Sequence, residues 1–271
     1  MSLLQVISKM HVAIIDFETT GVDTETCRPI EVCVAIVTPE LDIVTSYSSL
    51  LYTKDYPLIS EEIEALTGIQ KEQMSAGGIH PSIAFEAIRN LCAEYSVECM
   101  VAYNAEYDFA VYKKELERHG LLKEAVGEPV RIPWLCAMKD VRTNYKYKCW
   151  KLSHLALDYG VPINPKELHR ASADVFLTRD LLRAAKTTAK DMLAYKNTPW
   201  VALEAVTRKP WEDGGKSTSL AKSKGFSWEV PKGHQSLKYP KKWVKLVKET
   251  DLQYELSETT FQTRRINENR S

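Results

Sequence analysis

The chain has 271 residues, 44% of them hydrophobic and 27% charged, which is the composition of an ordinary soluble globular protein with room for one sizeable domain and a smaller appendage. The 36 Lys/Arg and 36 Asp/Glu cancel, yet residues 1–180 carry 18 basic against 26 acidic side chains and residues 181–271 carry 18 against 10. An acidic front part suits a cation site and a basic tail attracts phosphate backbones or simply stays solvated. Six cysteines (Cys27, Cys33, Cys92, Cys99, Cys136 and Cys149) form no Cys-x-x-Cys pair, so zinc is not expected. No apolar run approaches the length of a membrane span, and Leu3 to Ile7 is too short for a signal peptide. A reducing, cytoplasmic setting with no membrane is expected.

In chain order, β-like segments occupy residues 11–17, 30–38 and 41–52, and Pro39-Glu40 makes a tight connection that favours an antiparallel meander. Glu61 to Leu66 and Pro81 to Tyr95 read as helices, the second with Ile83, Ala87, Ile88 and Leu91 on its apolar side. A strand at 98–103, a helix carrying Asp108, a strand near 130–137 and helices near 152–159 and 173–190 follow. This order predicts an α/β fold, a mixed sheet covered by helices. Lys146 to Trp150, rich in Lys and Tyr, reads either as a DNA-contacting loop or as a solvated one. From about residue 196 the pattern loosens, and Pro199, Pro210, Gly214, Gly215 and Ser217 predict a linker over 193–224 before a small basic module at 225–271. Gly215-Lys216-Ser217 is no phosphate loop, because Pro210 stands where its first glycine belongs and no apolar strand precedes it. Pro240 to Lys248 reads as a short basic amphipathic helix. Lysine and aromatic residues interleave over 216–248, a pattern consistent with single-strand binding or with a packing-only mini-domain.

Chemistry concentrates at three places. Asp16 and Glu18 end the apolar run Val12-Ala13-Ile14-Ile15, and strand alternation puts both carboxylates on one face. Adjacent carboxylates resist joint ionisation unless a cation neutralises them, and an all-oxygen pair suits Mg²⁺ or Mn²⁺. Asp108 opens a helix, with Val111, Tyr112 and Leu116 continuing its line, so it lies above the packed stripe. Asp174 opens another above Leu177, Leu181 and Ala185, five residues after His169. Each acid alone is more simply a solvated strand end or a first-turn residue favoured by the helix dipole.

In this order Asp16, Glu18, Asp108, His169 and Asp174 resemble the motifs of the DEDD superfamily of 3′–5′ exonucleases, in the histidine-containing DEDDh branch of the polymerase III epsilon subunit, exonuclease X and RNase T. Thr19-Thr20-Gly21, Leu66-Thr67-Gly68-Ile69 and Asn104 also fall where that family has similar residues. Val175 departs from its usual alanine. The resemblance covers about residues 10–190 and implies an RNase H-like exonuclease domain over 10–192. It implies two Mg²⁺, replaceable by Mn²⁺, held by Asp16, Glu18, Asp108 and Asp174, with His169 as general base for the attacking water. Thr19 would contact the terminal nucleotide, and Phe17 and Leu66 would pack on its base. Asn104 would be a further substrate contact or only a turn former. The expected substrate is single-stranded DNA or duplex DNA with frayed 3′ ends, in proofreading or repair within a bacterial or phage-infected cell. An exoribonuclease of RNase T type, and a non-catalytic nucleic-acid-binding or polymerase-associated subunit, are the alternatives.

Overall fold

Alternation along Val12-Ala13-Ile14-Ile15-Asp16-Phe17-Glu18 gives the first strand two different faces, and both are covered. The computed structural model describes residues 11–54, 56, 59–122, 128–141, 150–207, 210–228 and 242–266. The chain divides into two units, Met1–Lys196 and Asn197–Ser271. In the first, β1 (His11–Thr19) is the middle strand of a five-stranded sheet that also contains β2 (Pro29–Val37), β3 (Ile43–Leu50), β4 (Val97–Ala102) and β5 (Trp134–Cys136). Their order is β3-β2-β1-β4-β5. β1 pairs antiparallel with β2 and parallel with β4, so the sheet is mixed and its first three strands form the expected meander.

Helices α1 (Glu61–Thr67), α2 (Lys71–Gly77), α3 (Pro81–Glu94), α4 (Ala105–Arg118), α5 (Leu152–Asp158), α6 (Ala171–Ala184) and α7 (Ala189–Asn197) complete this unit among the described residues. Ala13, Ile15 and Phe17 face α3 and α4, where Phe85, Ile88, Val111, Tyr112 and Leu116 close the core. Val12 and Ile14 face α6 and α7 through Ala171, Val175, Leu182 and Met192. Each face thus removes apolar surface from water at about 25 cal/mol per Å².

The departures from expectation have local causes. α2 carries one buried residue, Met74, so it shows no helical periodicity; Gln73 starts it by accepting the Gln70 N–H at 2.9 Å. Gly78, just past its end, lets two segments touch, since a Cβ there would lie 2.8 Å from the Tyr52 Cβ and 2.5 Å from the Met74 carbonyl oxygen. The helix expected over 173–190 is two: Lys186 adopts φ +51° after α6, and Asp191 caps α7 by accepting the Thr188 N–H at 2.9 Å. β5 is only three residues long.

The second unit is built on β6 (Trp200–Ala205), flanked by β7 (Trp243–Lys248) and β8 (Thr263–Arg265) in an antiparallel sheet of order β7-β6-β8. Helices α8 (Pro210–Asp213), α9 (Lys216–Ser223) and α10 (Leu252–Glu258) accompany it. Among its described residues the expected linker over 193–224 instead contains β6, α8 and α9, and the boundary between units falls at Lys196/Asn197. Val201, Leu203 and Ala205, on one face of β6, join a core with Phe226 and Val247. The amphipathic helix expected over 240–248 is also corrected, because residues 243–248 form β7. β6 pairs with that segment from Ala205↔Trp243 to Trp200↔Lys248, and its valines suit a strand.

No helix among the described residues is long and apolar enough to cross a membrane. The five described cysteines are buried and free.

The loop between β1 and β2 is held to α4 by an ionic group. Glu115, fully buried, accepts from Arg28 Nε at 2.8 Å and Arg118 Nη1 at 2.6 Å, with His119 Nε2 at 3.2 Å. Removing this buried anion takes the shared carboxylate from Arg28 and Arg118, so Glu115→Ala is expected to cost about 3–5 kcal/mol in urea unfolding. A loss below about 1 kcal/mol would be that of an exposed pair and would exclude this role.

Candidate active site

β1 and β4 run parallel and finish at one edge of the sheet, and the acids gather there. Asp16 and Glu18 project from the face of β1 that packs on α6. Asp174 enters from the first turn of α6, where its N–H is bonded to the Arg170 carbonyl at 3.0 Å. One carboxylate oxygen from each of Asp16, Glu18 and Asp174 lies within 4.8 Å of the others. Asp108 arrives from α4, which begins at Ala105, three residues after β4 ends, and it is 3% exposed. It stands outside that three-oxygen group, yet of the neighbouring charges it acts most strongly on Asp16.

Crowding and burial raise every one of these acids. Desolvation, then the charges of Asp108, Asp174, Glu18 and Glu31, push Asp16 well above the usual carboxylate range. Desolvation and Asp174 lift Glu18 to about 8, against a small opposing pull from Arg170. Asp108 rises to about 8 by burial, although its own N–H and that of Phe17 pull the other way. Asp174 rises to about 6 by burial and the Glu31 charge. A set of converging oxygens that ionises this reluctantly is matched to a hard divalent cation, so the donor set fits Mg²⁺ or Mn²⁺.

The histidine and its support come next. His169 is exposed on the turn before α6 with φ +60°, and its ring makes no hydrogen bond with the described residues. Arg170 follows in extended conformation and grips Glu31, which lies directly across the sheet from Glu18. Nη2 donates to Oε1 at 2.6 Å, Nε reaches both oxygens at 3.2 and 3.1 Å, and the Ala171 N–H donates to Oε2 at 2.9 Å. Sequence reading missed this pair. The available signal was Glu31 itself, an acid inside the apolar run Pro-Ile-Glu-Val-Cys-Val-Ala-Ile-Val, which a central strand tolerates only with a partner.

The expected substrate contacts separate. Phe17 is 6% exposed, and its ring stacks on Phe85 with centroids 5.8 Å apart. Alternation turns it away from Glu18 into the opposite core, so its ring has no face for a base, which corrects that expectation. The Thr19 and Tyr107 hydroxyls donate to the Gly21 carbonyl at 2.6 and 2.7 Å and lie 2.6 Å from each other. Leu66 is 50% exposed at the end of α1, where Gly68 (φ +68°) closes the helix. Asn104 is exposed at the N-cap of α4, and its side chain does not cap the helix. Lys146 to Cys149 lie outside the described residues; Trp150 is exposed, with its carbonyl bonded to the Tyr103 hydroxyl at 2.6 Å.

The raised pKa values give a stability profile of definite sign. A carboxyl raised in the fold keeps a proton that the unfolded chain has released, so the fold loses stability as pH rises above about 4 and through the folded-state values. Asp174 acts near pH 6 and Glu18 and Asp108 near pH 8. The melting temperature in EDTA is expected to fall between pH 6 and pH 9, and Mg²⁺ to raise it more at pH 8 than at pH 6. A metal-free Tm that climbs across this interval would contradict the arrangement.

The model of the exonuclease family (RNase T) matches residues 13–182, a span that includes all five motif residues. No curated protein matched the sequence significantly. Among solved structures, E. coli exonuclease I in complex with a dT13 oligonucleotide superposes with a TM-score of 0.58 at 15% identity, covering 88% of this chain and 63% of that one. The zinc-bound form of an E. coli exonuclease I–ssDNA complex gives 0.59 at 16%, covering 88% and 63%. An exonuclease I complex with SSB-Ct gives 0.54 at 16%, covering 77% and 50%. At such identity these likenesses concern the fold, which is that of the exonuclease RNase H-like sheet, and the chain spans only about half to five-eighths of their length. The matched span and the acids gathered within it make the chain a member of the exonuclease family, of the DEDDh 3′–5′ type.

Proposed function

We propose that the protein is a divalent-metal-dependent exonuclease that removes nucleotides from the 3′ end of single-stranded or frayed DNA. The observation that carries this reading is the convergence of Asp16, Glu18 and Asp174 within 4.8 Å, with Asp108 buried beside them. These four carboxylates would hold two divalent ions, Mg²⁺ with Mn²⁺ able to replace it. Such ions neutralise charge on the phosphoryl and departing oxygens and acidify the attacking water. His169 accepts a proton from that water at an imidazole nitrogen and, being exposed, passes it to solvent. Leu66 would offer an exposed apolar face to the terminal base, with Thr19 and Asn104, next in sequence to Glu18 and at the N-cap of α4, as further substrate contacts. The DNA assignment draws on the fold shared with an exonuclease crystallised on a DNA oligonucleotide.

End-labelled DNA and RNA oligonucleotides, each with Mg²⁺, Mn²⁺ or EDTA, test this reading. A 5′-labelled DNA strand is expected to shorten stepwise, and EDTA to stop it. Alanine at Asp16, Glu18, Asp108 or Asp174 should abolish turnover in a folded protein. His169→Ala should lower kcat by about 10²–10⁴-fold and leave KM nearly unchanged. Early release of the 5′ label as a mononucleotide would reverse the polarity. RNA cleaved faster than DNA would make the protein an exoribonuclease, and no cleavage of either would leave a binding subunit.

The second unit would add affinity for the strand without taking part in the chemistry. Residues 197–271 carry 14 Lys/Arg against 9 Asp/Glu, and Trp228, 50% exposed, stands edge-on to Trp243 at 5.9 Å. Lys216 and Lys222 lie exposed on α9. In the 271-residue chain, Trp228→Ala with Lys222→Glu should weaken single-strand binding by roughly 1–3 kcal/mol, flatten its salt dependence and leave kcat unaltered. Unchanged affinity and salt slope would assign this unit to packing or to another partner.

A further inference from the structure

Among the described residues His169 has no hydrogen-bonding side chain to aim it, so its direction depends on the backbone that carries it. That backbone makes a corner. His169 is left-handed at φ +60°, Arg170 is extended at φ −123° and ψ 129°, and Ala171 begins α6. A left-handed conformation is unfavourable for a residue with a Cβ, so the corner persists only where its surroundings hold it. One group does the holding. Both oxygens of the buried Glu31 carboxylate are taken up by the next two residues, through the Arg170 guanidinium and the Ala171 N–H. Glu31 itself is fixed in β2 opposite Glu18, so the grip is referred to the strand that supplies two of the acids.

We propose that Glu31 and Arg170 are positioning residues that hold His169 at the working distance from the acids. The proposal rests on the general-base role assigned to His169 above. The competing role for the pair is electrostatic: Arg170 would merely offset the charge of Glu31 beside the acidic cluster. The two roles differ in what geometry they require. Charge compensation needs a cation within reach, which lysine supplies. Holding the corner needs the planar fork, with two nitrogens on one carboxylate, which lysine cannot supply.

The experiment measures single-turnover rate and KM for a labelled DNA strand at saturating Mg²⁺. The variants are Arg170→Lys, Glu31→Gln and His169→Ala, together with the double variants His169→Ala/Arg170→Lys and His169→Ala/Glu31→Gln. Misplacement of a catalytic group by about 1 Å costs on the order of 10²-fold, so Arg170→Lys and Glu31→Gln are each expected to lose about 10- to 100-fold in rate with KM little changed. In the His169→Ala background both changes should cost less than about 2-fold, because there is no base left to misplace. Full activity in Arg170→Lys, or losses that multiply with that of His169→Ala, would overturn the proposal and leave a charge-balancing or structural role. Glu31→Gln has a neutral, isosteric side chain; should it fail to fold, Arg170→Lys carries the same comparison alone. If His169→Ala itself keeps the wild-type rate while Asp16→Ala is inactive, the base assignment fails and the positioning role falls with it. That outcome is distinct from an inactive His169→Ala beside fully active Arg170→Lys and Glu31→Gln, which refutes the positioning role only.

Discussion

Like charges repel, and burying them side by side removes the water that would otherwise screen them. Four carboxylates at one edge of a sheet therefore oppose the fold that contains them. The rest of the first unit can be understood as what makes that tolerable. β1 is covered on both faces, so its position is set by apolar packing from Val12 to Phe17 before any acid is considered. Two helices on opposite faces then deliver one acid each, and neither relies on those acids for its stability. Tyr112 and Leu116 hold α4, and Val175 and Leu182 hold α6. The acids are thus placed by groups that gain from burial, and a divalent cation is the natural complement to the field that results.

Much of this arrangement can be seen in the sequence because the site uses the same periodicities as the core. Asp16 and Glu18 continue the Val12–Ile14 face at a spacing of two, and Asp108 continues the Val111–Tyr112–Leu116 stripe at helical spacing. A pattern strong enough to define the core therefore also aims the acids. What escaped sequence reading lacked such a pattern. Phe17 looked available beside the acids, but the alternation that turns Asp16 and Glu18 toward α6 turns Phe17 into the opposite core. Glu31 finds its partner 139 positions away, and no local window contains both.

The second unit was harder to read for a related reason. Its strands are short, and β6 lies between Pro199 and Pro210, so turn residues dominate any window that includes it. Lys242, Arg264 and Glu204 form an ionic group across the sheet, with bonds of 2.9 and 2.7 Å to Glu204. Charges on β6, on β8 and on the residue just before β7 make each segment look like a solvated loop when taken singly. For β7 the deciding factor was a six-residue partner strand rather than local propensity.

The parallel pairing of β1 with β4 has a consequence for when the site comes into being. Ile14 meets Val101, so the pairing closes a loop of more than eighty residues, and Asp174 lies more than seventy residues further on. Contacts at such separation form late, because the chain entropy must be lost before the contact repays it. A chain growing from its N-terminus can complete the β1–β2–β3 meander while Asp16 and Glu18 still face water. The repulsion among the acids is thus deferred until α6 has been made, and α6 brings with Asp174 the apolar side chains Ala171, Val175 and Leu182 that complete the core on that face. Binding of a divalent cation by the full acid set would then be one of the last events of folding, and a chain interrupted before α6 would lack both Asp174 and the helix that covers the Val12–Ile14 face.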